Sequence, residues 1–207
     1  MRALDDYSYL IFDFDLTLFD TLDGVTQCYR ETLPLIGSDT SDINRETVGR
    51  LCKSSLSSVF NSRRTNSCKY SDFEREFIRV GQRCVHKRAR IFPDVLPALE
   101  RLDSSDRVCS IMTGNNRYTV TKTLERFGLG SLFDEIVCYG EYKREKPYPD
   151  GLERVLELSG ANREDCLYIG DSPSDLTAAS AAGMDGVLID RSCKSHDNTI
   201  STLEELV

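Results

Sequence analysis

Four short stretches hold the residue types that could do chemistry. Asp13-Phe14-Asp15-Leu16-Thr17 follows the apolar run Tyr9-Leu10-Ile11-Phe12, and Thr113-Gly114-Asn115 follows Val108 to Met112. Lys143 and Lys146 lie in the segment Tyr139 to Tyr148, and Gly170-Asp171-Ser172-Pro173-Ser174-Asp175 follows Cys166 to Ile169. Carboxylates at i and i+2 of a strand end face the same side. Asp13 and Asp15, with Asp171 and Asp175 added, cannot all ionise cheaply unless a cation sits among them. A hard divalent ion with oxygen ligands answers that need. Mg2+ fits, because it favours octahedral oxygen coordination and keeps waters for a phosphate. One carboxylate can attack phosphorus. Its neighbour two residues on can protonate the leaving oxygen and later activate water. The Thr113-Gly114-Asn115 loop and Lys146 are candidates for holding the phosphoryl oxygens, Thr113 by a hydrogen bond and Lys146 by charge. Singly, each group has a plainer explanation: Asp13 capping a turn, Asp171 capping the next helix, Thr113 as a turn hydroxyl, Lys146 as a surface lysine before Pro147. Their convergence carries the argument.

That convergence requires particular elements. Tyr9 to Phe12 reads as a buried strand. From Phe92 onward strand and helix alternate: helix Pro93–Leu102, strand Val108–Met112, helix Tyr118–Phe127 stopped at Gly128, strand Glu135–Cys138. Helix Asp150–Ser159 stopped at Gly160, strand Cys166–Ile169, helix Ser174–Ala182 stopped at Gly183, strand Gly186–Ile189 and a terminal helix Thr202–Leu206 complete the series. Such alternation predicts a doubly wound α/β fold, a Rossmann-like parallel sheet with helices on both faces. Sites in these sheets form beyond the carboxyl ends of the strands, where all four stretches fall.

Residues 20–90 differ. Their apolar residues recur at helical spacing (Val25, Tyr29, Leu33; Val48, Leu51, Leu56, Val59; Phe73, Phe77, Val80, Val85), with little strand signal. They are expected to form an α-helical cap inserted after strand one, leaving 1–19 and 91–207 as the core domain. Gly49-Arg50-Leu51-Cys52-Lys53 is expected between two helices of this insert, where Arg50 and Lys53 could meet an anionic substrate tail; solvent-exposed charges at helix ends are the plainer alternative. Asp20 and Gly24 are candidate hinge positions. The basic run Arg79 to Arg90 reads as one solvated helix face.

Composition narrows the functional classes. The 207 residues are 40% hydrophobic and 29% charged, with a formal net charge of −8. That balance suits a folded domain and disfavours nucleic acid as a partner, because a polyanion is repelled by the whole molecule. No apolar run reaches the ~18 residues that suggest a membrane span. The start lacks a secretory pattern, so a cytoplasmic setting is expected. The eight cysteines include no C-x-x-C pair, and only His86 and His196 could help a zinc site. They read as buried reduced thiols. No G-x-x-x-x-G-K-[ST] occurs, so a P-loop nucleotide module is disfavoured.

The motifs DFDLT at 13–17, the Thr113 strand end, Lys146-Pro147 and GDSPSD at 170–175 resemble, in order and spacing, those of the haloacid dehalogenase superfamily. Lys146-Pro147-Tyr148-Pro149-Asp150 and Ala178 to Gly183 look like its phosphoglycolate phosphatase-like branch. The resemblance implies Asp13 as nucleophile, Asp15 as general acid and base, and Thr113 and Lys146 on the phosphate. It implies Mg2+ held by Asp13, the Asp15 backbone carbonyl and Asp171, with Asp175 directly or through water. It further implies a helical cap that closes, and a small phosphorylated metabolite as substrate. Two departures stand out. Leu16 occupies a position where many members carry Gly, and Gly114 separates Thr113 from an Asn that more often follows directly. Asp15 argues against the sister dehalogenases, which lack that acid. A phosphomutase would use the same acid pair, and a non-enzymatic binding or regulatory protein could keep the scaffold.

Overall fold

The computed structural model describes residues 3–192 and 198–207. The chain divides into two compact units, one of residues 1–20 and 91–207 and one of residues 21–90.

The first unit is a six-stranded sheet with helices between its strands. Strand β1 (Tyr9–Phe12) is followed by β2 (Phe19–Asp20), at which the chain leaves this unit, and β3 (Arg90–Ile91) marks its return. Then come β4 (Val108–Met112), β5 (Ile136–Val137), β6 (Cys166–Gly170), β7 (Asp185–Ile189) and β8 (Thr199–Ile200). The sheet order is β5-β4-β1-β6-β7-β8, and every neighbouring pair is parallel. The first strand lies between β4 and β6, with Phe12 opposite both Ile111 and Ile169. All four β1 side chains are buried, which suits a central strand covered on both faces. One face packs Tyr9, Ile11, Met112, Leu152, Val155, Tyr168 and Ala179 into a single cluster. The register sets the carboxyl ends of β4, β1 and β6 side by side.

Local sequence explains the helices of this unit. Helix α6 (Arg117–Phe127) begins at Asn116, whose side chain accepts the Thr119 N–H, and ends at Gly128 in the left-handed conformation. Helix α7 (Asp150–Ser159) ends the same way at Gly160. Helix α8 (Pro173–Ala181) starts with Pro in its first turn, where the missing N–H costs nothing. Helix α5 runs Val95–Ser104, two residues later than its predicted start, with Pro97 in its first turn. The predicted terminal helix is a single 3-10 turn, Leu203–Leu206.

The second unit is all helical: α1 (Leu22–Thr32), α2 (Arg45–Leu51), α3 (Leu56–Arg63) and α4 (Tyr70–Arg88). It has its own core of Tyr29, Leu33, Ile36, Val48, Phe60 and Phe73. Gly24 lies inside α1, where a Cβ would come within 2.6 Å of the Val85 Cα of α4. Its lack of a side chain therefore permits a close helix crossing, a packing reason for glycine that is independent of a hinge. Gly49, Arg50 and Leu51 belong to α2, so the expected loop shrinks to the turn after Leu51. Asn44 and Ser55 cap α2 and α3 through their side chains, and those caps, not Gly49, set the boundaries.

The seven described cysteines are free thiols, and Cys28, Cys84, Cys109, Cys138 and Cys166 are buried. Cys68 is half-buried and Cys52 is exposed, contrary to the expectation of uniform burial, because Cys52 sits at the turn after α2. Cys193 and His196 lie outside the described residues. No described helix is long and apolar enough to cross a membrane.

Candidate active site

Asp13 follows the last residue of β1, and its N–H is tied to the Ile169 carbonyl of β6. That bond sets the Asp13 backbone beside the end of β6, from which Asp171 and Asp175 follow. Carboxylate oxygens of Asp13, Asp171 and Asp175 lie within 4.8 Å of one another. Asp13 and Asp175 are buried, with relative exposures of 4% and 1%.

Lys146 meets the two buried acids. Its Nζ lies 2.9 Å from Asp13 Oδ1 and 2.7 Å from Asp175 Oδ1. Burial works against the ammonium, but Asp13 and Asp175 outweigh it and hold Lys146 firmly protonated. Lys143, the other lysine of that segment, is exposed.

Asp175 is fixed on all sides. Its Oδ1 also lies 3.1 Å from the Tyr168 hydroxyl, and its Oδ2 accepts from Ser172 N–H at 2.9 Å and Ser172 Oγ at 2.6 Å. A carboxylate offers about four acceptor sites, and these contacts occupy four. Burial pushes the Asp175 carboxyl up, but Lys146 and Ser172 more than reverse this, leaving it below its ordinary value. Gly170 makes room for this carboxyl: a Cβ there would lie 2.3 Å from Asp175 Cγ.

Asp13 has the opposite balance. Burial raises its carboxyl well above the ordinary range, Lys146 opposes this, and the charges of Asp175, Asp171 and Asp15 add to the rise. Lys146 contacts Asp13 and Asp175, and Arg191 acts on Asp171, yet with Asp15 the acids of the cluster still outnumber these cations. The donor set is all oxygen and the excess charge is negative, so the cluster suits a hard divalent cation.

Asp15 is half-buried, and both its oxygens accept from Asn115 Nδ2, at 3.2 and 3.1 Å. Thr113 is fully buried at the end of β4, and its Oγ1 accepts the Asn115 N–H at 3.0 Å, which leaves the hydroxyl proton to donate. Gly114 is exposed, and a Cβ there would meet nothing within 4 Å. Asn115 thus has its side chain on Asp15 and its backbone N–H on Thr113, joining the β4 and β1 ends.

The remaining predicted pair belongs to the helical unit. Arg50 is exposed in the last turn of α2 and forms an ion pair with Glu46 at 2.6 Å. Lys53 is exposed in the turn that follows.

Two residues of the core site were not anticipated. Tyr168 lies beneath it, buried; its hydroxyl accepts from Lys146 at 3.3 Å and also reaches the Met112 carbonyl at 3.2 Å. A tyrosine inside the apolar run CLYIG was the available signal, because a buried phenol needs a polar partner. Ser172 was signalled by the spacing S-x-x-D just before a helix. It stands at the N-cap position of α8, the place the plainer reading had given to Asp171.

Fold and site together define an α/β protein with a buried carboxylate-lysine centre at the carboxyl edge of a parallel sheet. The sequence profile of the haloacid dehalogenase-like hydrolases matches residues 10–189, and the chain belongs to that family. A phosphoglycolate phosphatase of Colwellia psychrerythraea is 26% identical over 191 residues, covering 89% of this chain and 84% of that one. A phosphoglycolate phosphatase of Aliivibrio fischeri is 33% identical over 98 residues, which are 47% of this chain and 43% of that protein. Pyrophosphatase PpaX of Oceanobacillus iheyensis is 25% identical over 175 residues, covering 84% and 79%. A crystal structure of a haloacid dehalogenase-like hydrolase from Bacteroides fragilis superposes with a TM-score of 0.85 at 27% identity, covering 97% of this chain and all of that one.

Proposed function

We propose that this protein is a Mg2+-dependent phosphatase that cleaves a phosphate monoester of a small metabolite through an aspartyl-phosphate on Asp13. The observation that carries the reading is the Asp13–Lys146–Asp175 arrangement: a buried carboxylate beside an ammonium whose other partner is fixed by Tyr168 and Ser172. Phosphoryl transfer asks chiefly for positioning and charge neutralisation, and these residues supply both.

Asp13 attacks phosphorus and the bond to the leaving oxygen breaks. Asp15, oriented by Asn115, gives that oxygen a proton and then takes one from the attacking water. Water cleaves the aspartyl-phosphate and regenerates the Asp13 carboxylate. Thr113 donates to a phosphoryl oxygen, and Lys146 offsets its charge. Asp13, the Asp15 backbone carbonyl and Asp171 would hold Mg2+, with Asp175 bracing Lys146 beside them. The cation would neutralise charge on the phosphoryl group and on the carboxylates around it. Residues 20–90 would serve as the inserted cap of the family and sample the substrate's far end, with Arg50 and Lys53 as candidates for its charge. Phosphoglycolate-like esters are the first substrates to try, given the named relatives.

Phosphate release from a panel of phosphorylated metabolites, with and without Mg2+, tests this reading against Asp13→Asn. Magnesium-dependent release that disappears in the variant supports it. Release that persists in Asp13→Asn removes Asp13 as nucleophile. A phospho-enzyme that passes its phosphoryl group to sugar phosphates faster than to water would make the protein a mutase.

A further inference from the structure

The turn that carries Asp15 is backbone-closed at three points. Leu16 N–H donates to the Phe19 carbonyl, and the N–H groups of Leu18 and Phe19 donate to the Phe14 carbonyl. Within it Leu16 has φ of 61°, a left-handed conformation in which a side chain crowds its own carbonyl. Leucine at this position resists the shape it is held in. The carbonyls of Leu16 and Thr17 point out of the turn, and one side chain takes both. Arg191, just beyond β7, donates from Nη1 to Leu16 O at 3.2 Å and from Nη2 to Thr17 O at 2.9 Å.

Arg191 is itself held. Its Nη2 lies 3.1 Å from each oxygen of Asp94 and its Nε 3.3 Å from Oδ1. Its guanidinium stacks over the Phe92 ring, 3.9 Å from the centroid. Asp94 is buried and also accepts the Leu203 N–H at 2.8 Å. The planar fork of arginine suits two carbonyls and a carboxylate at once, a pattern a lysine cannot match.

We propose that Arg191, braced by Asp94 and Phe92, is a positioning residue that clamps the left-handed Leu16 turn and thereby fixes Asp15 for its acid-base role. The inference rests on the phosphatase reading above. A clamp acting on a strained turn makes two predictions that a merely structural ion pair does not. Its loss should act on the chemical step, and it should matter less where the residue at the turn has no Cβ to resist the left-handed shape.

The test is p-nitrophenyl phosphate hydrolysis with Mg2+ by the native protein, R191K, L16G and the double variant, with hydrogen exchange of the segment 14–19 on each. R191K keeps the charge facing Asp94, and a thermal melt of each variant checks that the fold is retained. The expected result is a fall in kcat of about tenfold in R191K with KM changed less than about twofold. In the L16G background the same R191K change should cost less than about threefold in kcat. Exchange over 14–19 should rise in R191K while that of 166–170 stays unchanged. A rise in KM at constant kcat, an equal loss of kcat in both backgrounds, or a drop in Tm with unaltered exchange over 14–19 would each overturn the proposal. If the native protein releases no phosphate from this ester or from the metabolite panel, the phosphatase reading fails, and exchange over 14–19 alone then decides whether the clamp exists.

Discussion

The two units differ in where their charges sit. In the sheet unit, Asp13, Lys146 and Asp175 are taken out of water and share one network, with relative side-chain exposures of 6%, 15% and 1%. In the helical unit, charges stay in water and pair with neighbours along a helix, between helices or, for Arg90, from β3: Arg50 with Glu46, Arg79 with Glu76, Arg83 with Glu31, Arg45 and Arg90 with Asp23. Exposed pairs of that kind contribute about 0–1 kcal/mol each. A buried network is different, because removing one member strands the others in a medium that solvates them poorly. The sheet unit carries exposed pairs of that kind as well, such as Lys122 with Glu125 and Arg154 with Glu157, so burial and not residue type sets its central network apart.

The contrast can be broken at its strongest point. Asp13→Asn should lower kcat by at least about 10³-fold while the protein still folds, measured as phosphate release alongside thermal melts. Activity within tenfold of native would mean that the buried network is not the catalytic centre. Next in size, Lys146→Met should cost about 3 kcal/mol in the metal-free protein, since Asp13 and Asp175 lose their shared cation, and Mg2+ should restore part of the loss in Tm. In the helical unit, Gly24→Ala should cost about 1–3 kcal/mol by forcing α1 from α4, with no comparable effect on p-nitrophenyl phosphate turnover.

A pH profile sharpens the same comparison. The Asp13 carboxyl is raised from its ordinary 3.8 in the folded chain, chiefly by burial. Above that value the unfolded chain has released a proton that the folded chain still binds. The Asp13 contribution to the stability of the metal-free protein should therefore fall as pH rises from about 4, so the difference in Tm between the native protein and Asp13→Asn should shift with pH in the variant's favour. Saturating Mg2+ should reverse that shift, because the cation binds the ionised cluster. The smallest effect belongs to the surface: Arg50→Ala should change stability by less than about 0.5 kcal/mol. A large increase in KM for the best substrate in that variant would instead give Arg50 the recognition role its residue type allows.

Much of the core could be read from the chain alone, because its signals are local. Apolar runs bounded by Gly128 and Gly160 set strands and helices within a residue or two, as with Asp150–Ser159. The helical unit was read less well at Gly49 to Lys53. The segment is expected between two helices, but Gly49 is an interior helix residue, and the real breaks follow from the Asn44 and Ser55 caps. The packing of Gly24 against Val85 was not legible, because nothing in the sequence tells which backbone will approach it. The hydrogen bonds of Asn115 to Asp15, a partner 100 residues away, were not legible in the sequence.

The sequence by itself determined the alternation that makes a parallel sheet, the acids after β1 and β6, the threonine after β4 and the lysine before Pro147, since side-chain periodicity and strand-end position are properties of short segments. Only the tertiary structure decided that Lys146 would serve Asp13 and Asp175 together, that Tyr168 and Ser172 would fill the Asp175 carboxylate, and that Arg191 would grip the turn around Leu16. Those pairings join residues far apart in the chain, and their strength comes from shared exclusion of water, which no segment possesses until the sheet has formed.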